Sequence, residues 1–433
     1  MTKQVSSTAS EQTDLQPKPL SVLIKKITDK KGVDIMLHVR FGRIVFLVVA
    51  LVSVGQFANT IYVPALSLIA NNLKINPENT QFLMTAYLLP YGLTQFIYGP
   101  LSDIYGRRPL VLCGLAIFLI GSVLTVLAND FAVLLSGCLI QGLGAGVAGV
   151  MARTVMRDCY TDHKLYQANS IVSLCLIFAP LIAPVIGGLL SVCCGWRSDF
   201  IFLFVLSGSV LCLEYSLFPE THIKRSTDQQ INWSSIKAKY TQALKLKKFN
   251  GYMLCMSLSF AGIAVFEASA SILMTNILHY SPEAVSFLFI IPIPGFLIGS
   301  YLASYINKFI SLDQILKLSI LLILLGVTSL AVPAFAHVLN IEVILIPITI
   351  YMLGTGLLFP TAMTGALNPL GKIAGTAGAL LGGVQNLCAA GMTVLFTLIP
   401  QTTQRPLALV LSLCCLLIVL TYWIFLQSDN IID

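Results

Sequence analysis

One acidic residue lies deep in an apolar segment of this sequence. Glu267 belongs to a stretch, residues 249–276, whose other side chains are apolar, small or uncharged. An ionised carboxylate inside a bilayer costs about 3 kcal/mol or more, so such residues are usually functional. Burial favours the neutral carboxyl, which can then bind and release a proton near working pH. We predict a proton-coupling role for Glu267; the alternative is a neutral side chain held by a neighbour for structural reasons.

A second group of charges follows the second apolar segment. Asp103 is succeeded by Arg107 and Arg108, and two glycines, Gly99 and Gly106, frame the acid. An acid and two arginines at a helix end can pair with one another and with a neighbouring helix, while glycines allow backbones to approach. We predict a gating cluster here. The alternative is that the arginines only anchor the helix at the membrane surface.

Two further segments carry residues of the same predicted gating set. The fourth apolar segment ends in charged residues, namely Arg153, Arg157 and Asp158. The fifth has small residues and a proline, which predict a bent and closely packed helix face. Those residues are Ala183, Pro184, Gly187 and Gly188. Ordinary helix packing would also explain the fifth segment.

Polar and aromatic side chains recur inside several apolar segments. Rings combined with a few hydrogen-bonding groups suit amphipathic ligands. We therefore predict a substrate-binding lining of Gln56, Asn59, Thr60, Tyr62, Tyr87, Tyr91, Gln95, Phe266, Gln385 and Asn386. For any single aromatic residue, core packing or lipid contact is the commoner explanation.

The elements that position these residues are membrane helices. The chain has 433 residues, 56% hydrophobic and only 10% charged, with a mean hydropathy of +0.85. A soluble domain has about 25% charged residues, and each membrane helix needs roughly 20 apolar ones. We predict an all-α membrane protein with twelve spans, at 42–69, 80–102, 109–128, 131–153, 166–190, 199–218, 249–276, 283–305, 314–335, 341–363, 373–399 and 405–427.

A polar stretch divides the predicted spans into six and six. We expect an N-terminal tail at 1–41, a six-helix bundle at 42–218, a central loop at 219–248 and a second six-helix bundle at 249–428. With the tail inside, 23 of the 26 lysines and arginines fall on one side. Lysine and arginine are enriched in cytoplasmic loops, so both termini are predicted to be cytoplasmic.

The motifs resemble those of the major facilitator superfamily. Gly99 to Pro109 is similar to the family's loop between helices two and three, although Ile104 stands where arginine is usual. The fifth segment resembles the antiporter motif of drug:proton exporters, with alanines, Ala179 and Ala183, at two usual glycine positions. Cys138 replaces an arginine to which a proton-relay role has been assigned in such families.

Further residues narrow the resemblance to the Bcr/CflA group of drug exporters. They lie in the first, fourth, seventh, eighth, tenth and eleventh segments and at 400–402, and they include Gly149 to Thr154 and Phe266 to Ala268. The resemblance implies the twelve-helix fold with two six-helix bundles. It also implies proton-coupled export of hydrophobic or amphipathic compounds across the bacterial inner membrane by a monomer.

Other functions stay open or are disfavoured. A narrower exporter, of a siderophore, sugar or amino acid, is not separated from a drug exporter by the sequence. A membrane enzyme would need convergent acids and histidines on its spans, whereas the five histidines lie at span ends or in loops. A channel would need a filter-like loop, which the sequence does not show. With no P-loop, no metal-ligand spacing and no basic stripe, we expect no cofactor, metal or nucleic-acid partner.

Overall fold

A computed structural model describes residues 41–221 and 233–427, and all regular structure within these ranges is helical. The first span, α1, is Phe41–Leu73. The helices that follow are α2 Phe82–Tyr105, α3 Arg107–Val126, α4 Phe131–Cys159, α5 Asp162–Cys194, α6 Arg197–Leu217, α7 Trp233–Leu244, α8 Lys247–Ile272, α9 Pro282–Leu288, α10 Ile293–Ile306, α11 Leu312–Phe335, α12 Glu342–Leu367, α13 Ala374–Thr397 and α14 Arg405–Tyr422. The predicted tail, apart from residue 41, lies outside these ranges, and the contacts below all lie within Leu47–Asp433.

Eleven helical segments of the described chain are long and apolar enough to cross a membrane. The predicted second span, α2, has 24 residues but is not among these eleven, because its tyrosines, prolines and Gln95 lower its hydropathy. It packs between α4 and α13, where Gln95 is buried, so its polar face is covered by protein. The all-α membrane fold predicted from the sequence is confirmed, and most span boundaries agree within a few residues.

Prolines interrupt two of the spans. In α1 the helix gives way to a short 3-10 turn at Val63–Ala65, which contains Pro64. The predicted eighth span is divided into α9 and α10 just before Pro292 and Pro294. Proline lacks a backbone donor and its ring clashes with the preceding turn, so each break follows from the sequence.

Helix packing follows the order of the chain. In the first half α4 packs on α2 and α3, and α3 packs on α6. In the second half α8 packs on α12, α13 and α14, and α12 packs on α10 and α11. Contacts between the halves join α2 to α13 and α5 to α9. The division into two separate bundles stays a prediction. The helices run between two ends of the protein, which we call the Lys74 end and the Arg107 end after residues that lie there.

The structure corrects two local predictions. The predicted central loop contains the twelve-residue helix α7. Gly106 ends α2 with φ of 93°, so glycine is needed there for the turn. A methyl group added at Gly99 would make only an ordinary 3.9 Å contact with Val150. Gly99 therefore does not mark a close backbone approach, contrary to the prediction.

Large apolar side chains face outward along the spans. Tyr301, Val332 and Leu398 are each about 70% exposed, at 72%, 70% and 69%. In water such a surface would drive aggregation, whereas lipid tails solvate it. The outward face therefore fits a bilayer.

Candidate functional site

A cavity of about 1030 Å³, part of it open to the surroundings, lies between the two halves of the chain. Residues of α1, α2, α4 and α5 line one wall, and residues of α8, α10, α12 and α13 line the other. Its lining combines apolar and aromatic side chains with a few polar groups, as small-molecule sites do. The cavity is therefore the candidate substrate site.

Six of the ten predicted substrate-binding residues line this cavity. They are Gln56, Asn59, Tyr91, Gln95, Gln385 and Asn386. The side chains of Gln56 and Tyr91 meet across α1 and α2, where Gln56 Nε2 lies 3.5 Å from the Tyr91 hydroxyl. The Oδ1 atom of Asn59 and the Oε1 atom of Gln95 are buried and have no hydrogen-bond partner among the described residues.

The other four predicted lining residues are packed elsewhere. Thr60 donates to the Pro180 carbonyl at 3.1 Å, and Tyr87 donates to the Gly55 carbonyl at 2.6 Å. The Tyr62 ring stacks on Phe200, with centroids 5.6 Å apart. Phe266 is fully buried beside Phe289. In this conformation all four hold helices together and do not line the cavity.

Glu267 lies on the cavity wall formed by α8. Its side chain is 9% exposed, and Phe260 and Ile263, on the preceding turns, line the same wall. It makes no ion pair within the described ranges. The predicted proton-coupling residue therefore faces the space that a substrate would occupy.

Arg153, predicted to act in gating, also lines the cavity. Its Nη1 donates to the Gly378 carbonyl of α13, so the side chain bridges the two halves. A methyl group added at Gly378 would lie 3.0 Å from Arg153 Cδ, which shows how closely the arginine packs on that helix. The predicted gating role did not include a place in the cavity lining, because Arg153 stands at the predicted end of the fourth span.

An aromatic cluster on the second wall was not predicted. Phe359 lies between Phe260 and Phe296, with ring centroids 6.3 Å and 6.1 Å apart. All three rings line the cavity. They provide an apolar surface for a hydrophobic body. Phenylalanine is common in membrane helices, so the sequence held no signal that singled out these three.

A hydrogen-bond network closes the Lys74 end. Gln81 Nε2 donates to the Ala268 carbonyl at 3.2 Å and to Gln401 Oε1 at 2.7 Å, and Gln401 Nε2 donates to Gln81 Oε1 at 2.8 Å. Thr397 donates to Gln81 Oε1 at 3.0 Å, and Glu78 accepts from the Gln401 backbone at 2.8 Å. Gln81 precedes α2 and its partners belong to the second half. We call this network the glutamine latch.

At the Arg107 end, Arg107 is the centre of the predicted charge cluster. It is buried, and it pairs with Asp103 at 2.7 Å and with Asp158 at 2.8 Å. Arg108 does not join them, because its Nη2 donates to the Tyr215 carbonyl of α6 at 2.7 Å. The cluster therefore holds α2, α3 and α4 together within the first half. Glu220, which the sequence did not single out, accepts from the Arg107 backbone at 2.9 Å.

A second cavity separates this cluster from α13. It has about 810 Å³ of space, part of it open to the surroundings, and its lining includes Arg157, Lys239, Gly375 and Thr376. Tyr240 of α7 also lines it and donates to the Phe96 carbonyl of α2 at 3.1 Å. The predicted gating residue Arg157 thus lies at this polar opening.

The predicted antiporter segment packs against both halves. A methyl group at Gly187 would collide with the Ile61 carbonyl of α1, and one at Gly188 would collide with Ser286 of α9. Ala183 and Pro184 are buried in the same helix. The two glycines therefore allow the close approach that their spacing predicted.

Two acids on α6 are buried although they lie near helix ends. Glu214 is 0% exposed. Asp199 in the first turn of α6 is also fully buried. The carboxylate oxygens of both lack hydrogen-bond partners among the described residues. Their positions near helix ends made them resemble surface residues in the sequence.

Comparisons with known proteins agree with this architecture. A family model described as Major Facilitator Superfamily matches residues 45–393. The chain is 39% identical over 379 residues to "Multidrug resistance protein D" of Escherichia coli, which covers 88% of this chain and 94% of that protein. It is 25% identical over 375 residues to "Bicyclomycin resistance protein homolog" of Haemophilus influenzae, which covers 87% and 94%. The sequence pattern also resembled multidrug resistance protein D in particular, and that prediction is confirmed.

The fold is found in a solved structure as well. A D-xylose-proton symporter superposes with a TM-score of 0.72 at 15% identity, covering 88% of this chain and 97% of that one. At this identity the likeness concerns the arrangement of helices. That arrangement agrees with the all-helical packing described above.

Proposed function

We propose that this chain, which belongs to the Major Facilitator Superfamily, exports hydrophobic or amphipathic compounds in exchange for protons. Relatives named for multidrug, bicyclomycin and chloramphenicol resistance support drugs as the cargo. Transport changes no covalent bond in the substrate, so the proposal assigns no enzymatic activity. We place the protein in the bacterial inner membrane as a monomer with both termini cytoplasmic.

The observation that carries the proposal is the position of Glu267. Among the described residues that line the main cavity, it is the one acid. A carboxyl there can bind a proton while the cavity faces one side and release it to water on the other side, where a substrate cation stabilises the carboxylate. Aromatic rings and amides around it can accept varied compounds, as an exporter of amphipathic drugs requires.

The helix contacts suggest how the cavity would alternate between the two sides. The glutamine latch joins the halves at the Lys74 end, whereas polar space lies between the Arg107 cluster and α13 at the other end. Opening the Lys74 end requires the latch to break and the two halves to rock about the cavity. Because Gln81 bonds to Ala268, next to Glu267, the latch is one residue from the proposed proton site.

Transport by purified protein tests the proposal. Proteoliposomes with an acidic lumen and a trapped pH dye would receive rhodamine 6G, a sugar or an amino acid from outside. We expect rhodamine 6G to raise the luminal pH only when the protein is present, because each drug entering displaces protons outward. Transport that is indifferent to collapse of the pH gradient would contradict proton exchange. Proton movement with the sugar or amino acid alone would favour the narrower exporter.

A further inference from the structure

Arg153 is a cation that lines the cavity and forms no ion pair with any described residue. Its one hydrogen-bond partner among the described residues is the Gly378 carbonyl, which uses Nη1. A guanidinium carries five N–H donors in a planar fork. Arg153 belongs to none of the ion pairs found within the described ranges. Most of its donors therefore have no acceptor among the described residues.

Polar groups gather beside this guanidinium. A methyl group added at Gly382 would lie 3.2 Å from Arg153 Nη1 and would collide with Gln95 Oε1. Both side chains therefore approach α13 at the same glycine. Gln95 is 2% exposed, and its Nε2, which can donate to an anion, lies 3.1 Å from the position of a methyl group on Gly149. The Tyr91 hydroxyl, which lines the same wall, lies 3.2 Å from the position of a methyl group on Gly149. A guanidinium, an amide and a hydroxyl thus converge on one part of the cavity.

The acid of the cavity lies towards its opposite end. Arg153 is six residues before the end of α4, roughly 9 Å along the helix, and Glu267 is twenty residues after the start of α8, roughly 30 Å along it. Both helix termini lie at the Arg107 end. The cavity therefore has a positive floor near the Arg107 end and a carboxyl nearer the Lys74 end, with the Phe260, Phe296 and Phe359 rings on one wall between them.

We infer that Arg153, with Gln95 and Tyr91, forms a subsite for an anionic head group, a carboxylate or a sulfonate, on an amphipathic substrate. Guanidinium binds such groups through two parallel hydrogen bonds. The substrate's apolar body lies against the phenylalanine cluster. The inference deepens the proposed function, since it names a substrate class for the same cavity, and it rests on that cavity being the transport site.

Equilibrium binding tests the subsite without requiring transport. Purified protein in lipid nanodiscs would be titrated with three compounds that share one fluorophore: dansylglycine (anionic), dansylamide (neutral) and dansylcadaverine (cationic), with empty nanodiscs as the blank. The wild type is expected to bind dansylglycine about tenfold more tightly than dansylamide, the least expected for one charge-assisted hydrogen bond. Arg153→Gln should remove this preference and should not weaken the binding of dansylamide or of dansylcadaverine.

Other variants separate the head-group contact from general charge and from folding. Arg153→Lys should keep part of the preference, because a point charge lacks the planar fork. Lys308→Gln removes one exposed charge from the same end of the protein and should keep all of it. If Arg153→Gln does not fold, two other experiments provide the test. One uses the Gln95→Leu variant, and the other measures competition by naphthalenesulfonate against dansylglycine in the wild type. Both should weaken dansylglycine binding severalfold.

Two results would overturn the subsite. One is a wild type that binds dansylglycine no more tightly than dansylamide. The other is an equal loss of affinity for all three compounds in folded Arg153→Gln, which would mean that the arginine only bridges two helices. Because no proton gradient is present, these results are independent of whether the protein exports. A protein that shows the preference but moves no protons would contradict the proposed function alone.

Discussion

The two carboxylates that pair with Arg107 differ in exposure and in what they connect. The Asp103 side chain is 58% exposed and lies one turn before Arg107, whereas the Asp158 side chain is 21% exposed and belongs to α4. Exposed ion pairs contribute about 1 kcal/mol or less. A partly buried pair between separate helices contributes more to their arrangement, because losing one partner leaves the buried Arg107 with fewer acceptors.

Asparagine substitutions should reflect this difference. Asp103→Asn is expected to lower transport modestly with expression intact. Asp158→Asn is expected to lower transport further and to reduce the free energy of unfolding by about 2 kcal/mol. Transport assays and thermal unfolding of the purified variants would measure both effects, with Asp130→Asn at the Lys74 end as the matched control. Wild-type transport in both variants would show that Arg107 only anchors its helix at the membrane surface.

Residue types in the spans indicated much of the cavity lining but not its exact membership. A polar side chain in an apolar helix usually avoids lipid, which is why Gln56, Gln95 and Asn386 were predicted to face inward and do. The sequence could not distinguish Tyr87 from Tyr91, since the difference is a bond from Tyr87 to the distant Gly55 carbonyl. The burial of Glu214 depends on neighbouring helices and has no signature of its own.

At the scale of elements, the glutamine latch joins the start of α2 to α8 and to the segment before α14. Both glutamines are buried, and each amide donates to the other. Removing one amide leaves buried donors and acceptors unpaired, which costs about 1–3 kcal/mol. That cost applies only to the conformation in which the Lys74 end is closed.

Gln81→Leu should therefore populate conformations open at the Lys74 end. We expect faster hydrogen–deuterium exchange around residues 77–82 and 398–404, by roughly 5- to 150-fold at an unpairing cost of 1–3 kcal/mol. Gln167→Leu, which alters an exposed glutamine of α5, should leave these segments unchanged. Unaltered exchange in folded Gln81→Leu would show that the latch does not hold this end closed.

The linker helix α7 was the largest element that the sequence did not predict. Its lysines, glutamine and serines resemble a loop, and its helical form depends on contacts with α8 and α13. Tyr240 stacks edge-on against Phe96, with centroids 6.3 Å apart, and donates to the Phe96 carbonyl. Breaks at Pro64 and Pro292, in contrast, follow directly from residue type.

The attachment of α7 should depend on pH. Burial, with a smaller effect of Asp103, raises the pKa of Tyr240 from 10.0 to about 12. A group whose pKa is raised by folding stabilises the folded state fully below its unfolded value. This contribution is lost as the pH rises from about 10 to about 12. Tyr240→Phe should loosen α7 at pH 8, by about 1 kcal/mol, and lose the alkaline transition in its exchange rate. Equal exchange rates in α7 for the wild type and Tyr240→Phe, both at pH 8 and above pH 10, would contradict this attachment.

For the whole molecule, charge placement predicts the orientation in the membrane. Lys74 lies in a connection with few basic residues, and the segment 225–245 lies in the most basic one. Fusions truncated after Lys74 should give active alkaline phosphatase and no fluorescent green fluorescent protein, and fusions within 225–245 should give the reverse. An internal location for Lys74 would contradict the predicted topology and would exchange the two ends in the transport scheme.

The central claim is that one carboxyl, Glu267, couples substrate movement to protons. Glutamine has nearly the same shape, so Glu267→Gln should fold and still bind hydrophobic compounds, but it cannot alternate between charged and neutral forms. The direct measurement is the proton release that tetraphenylphosphonium causes when added to purified protein in weakly buffered solution. Exposed Glu283→Gln serves as the matched control.

We predict proton release from the wild type and from Glu283→Gln. None is expected from Glu267→Gln, even where direct titration shows that this variant binds the cation. Release from Glu267→Gln equal to that of the wild type would contradict the account and move the proton site to Glu214 or Asp103.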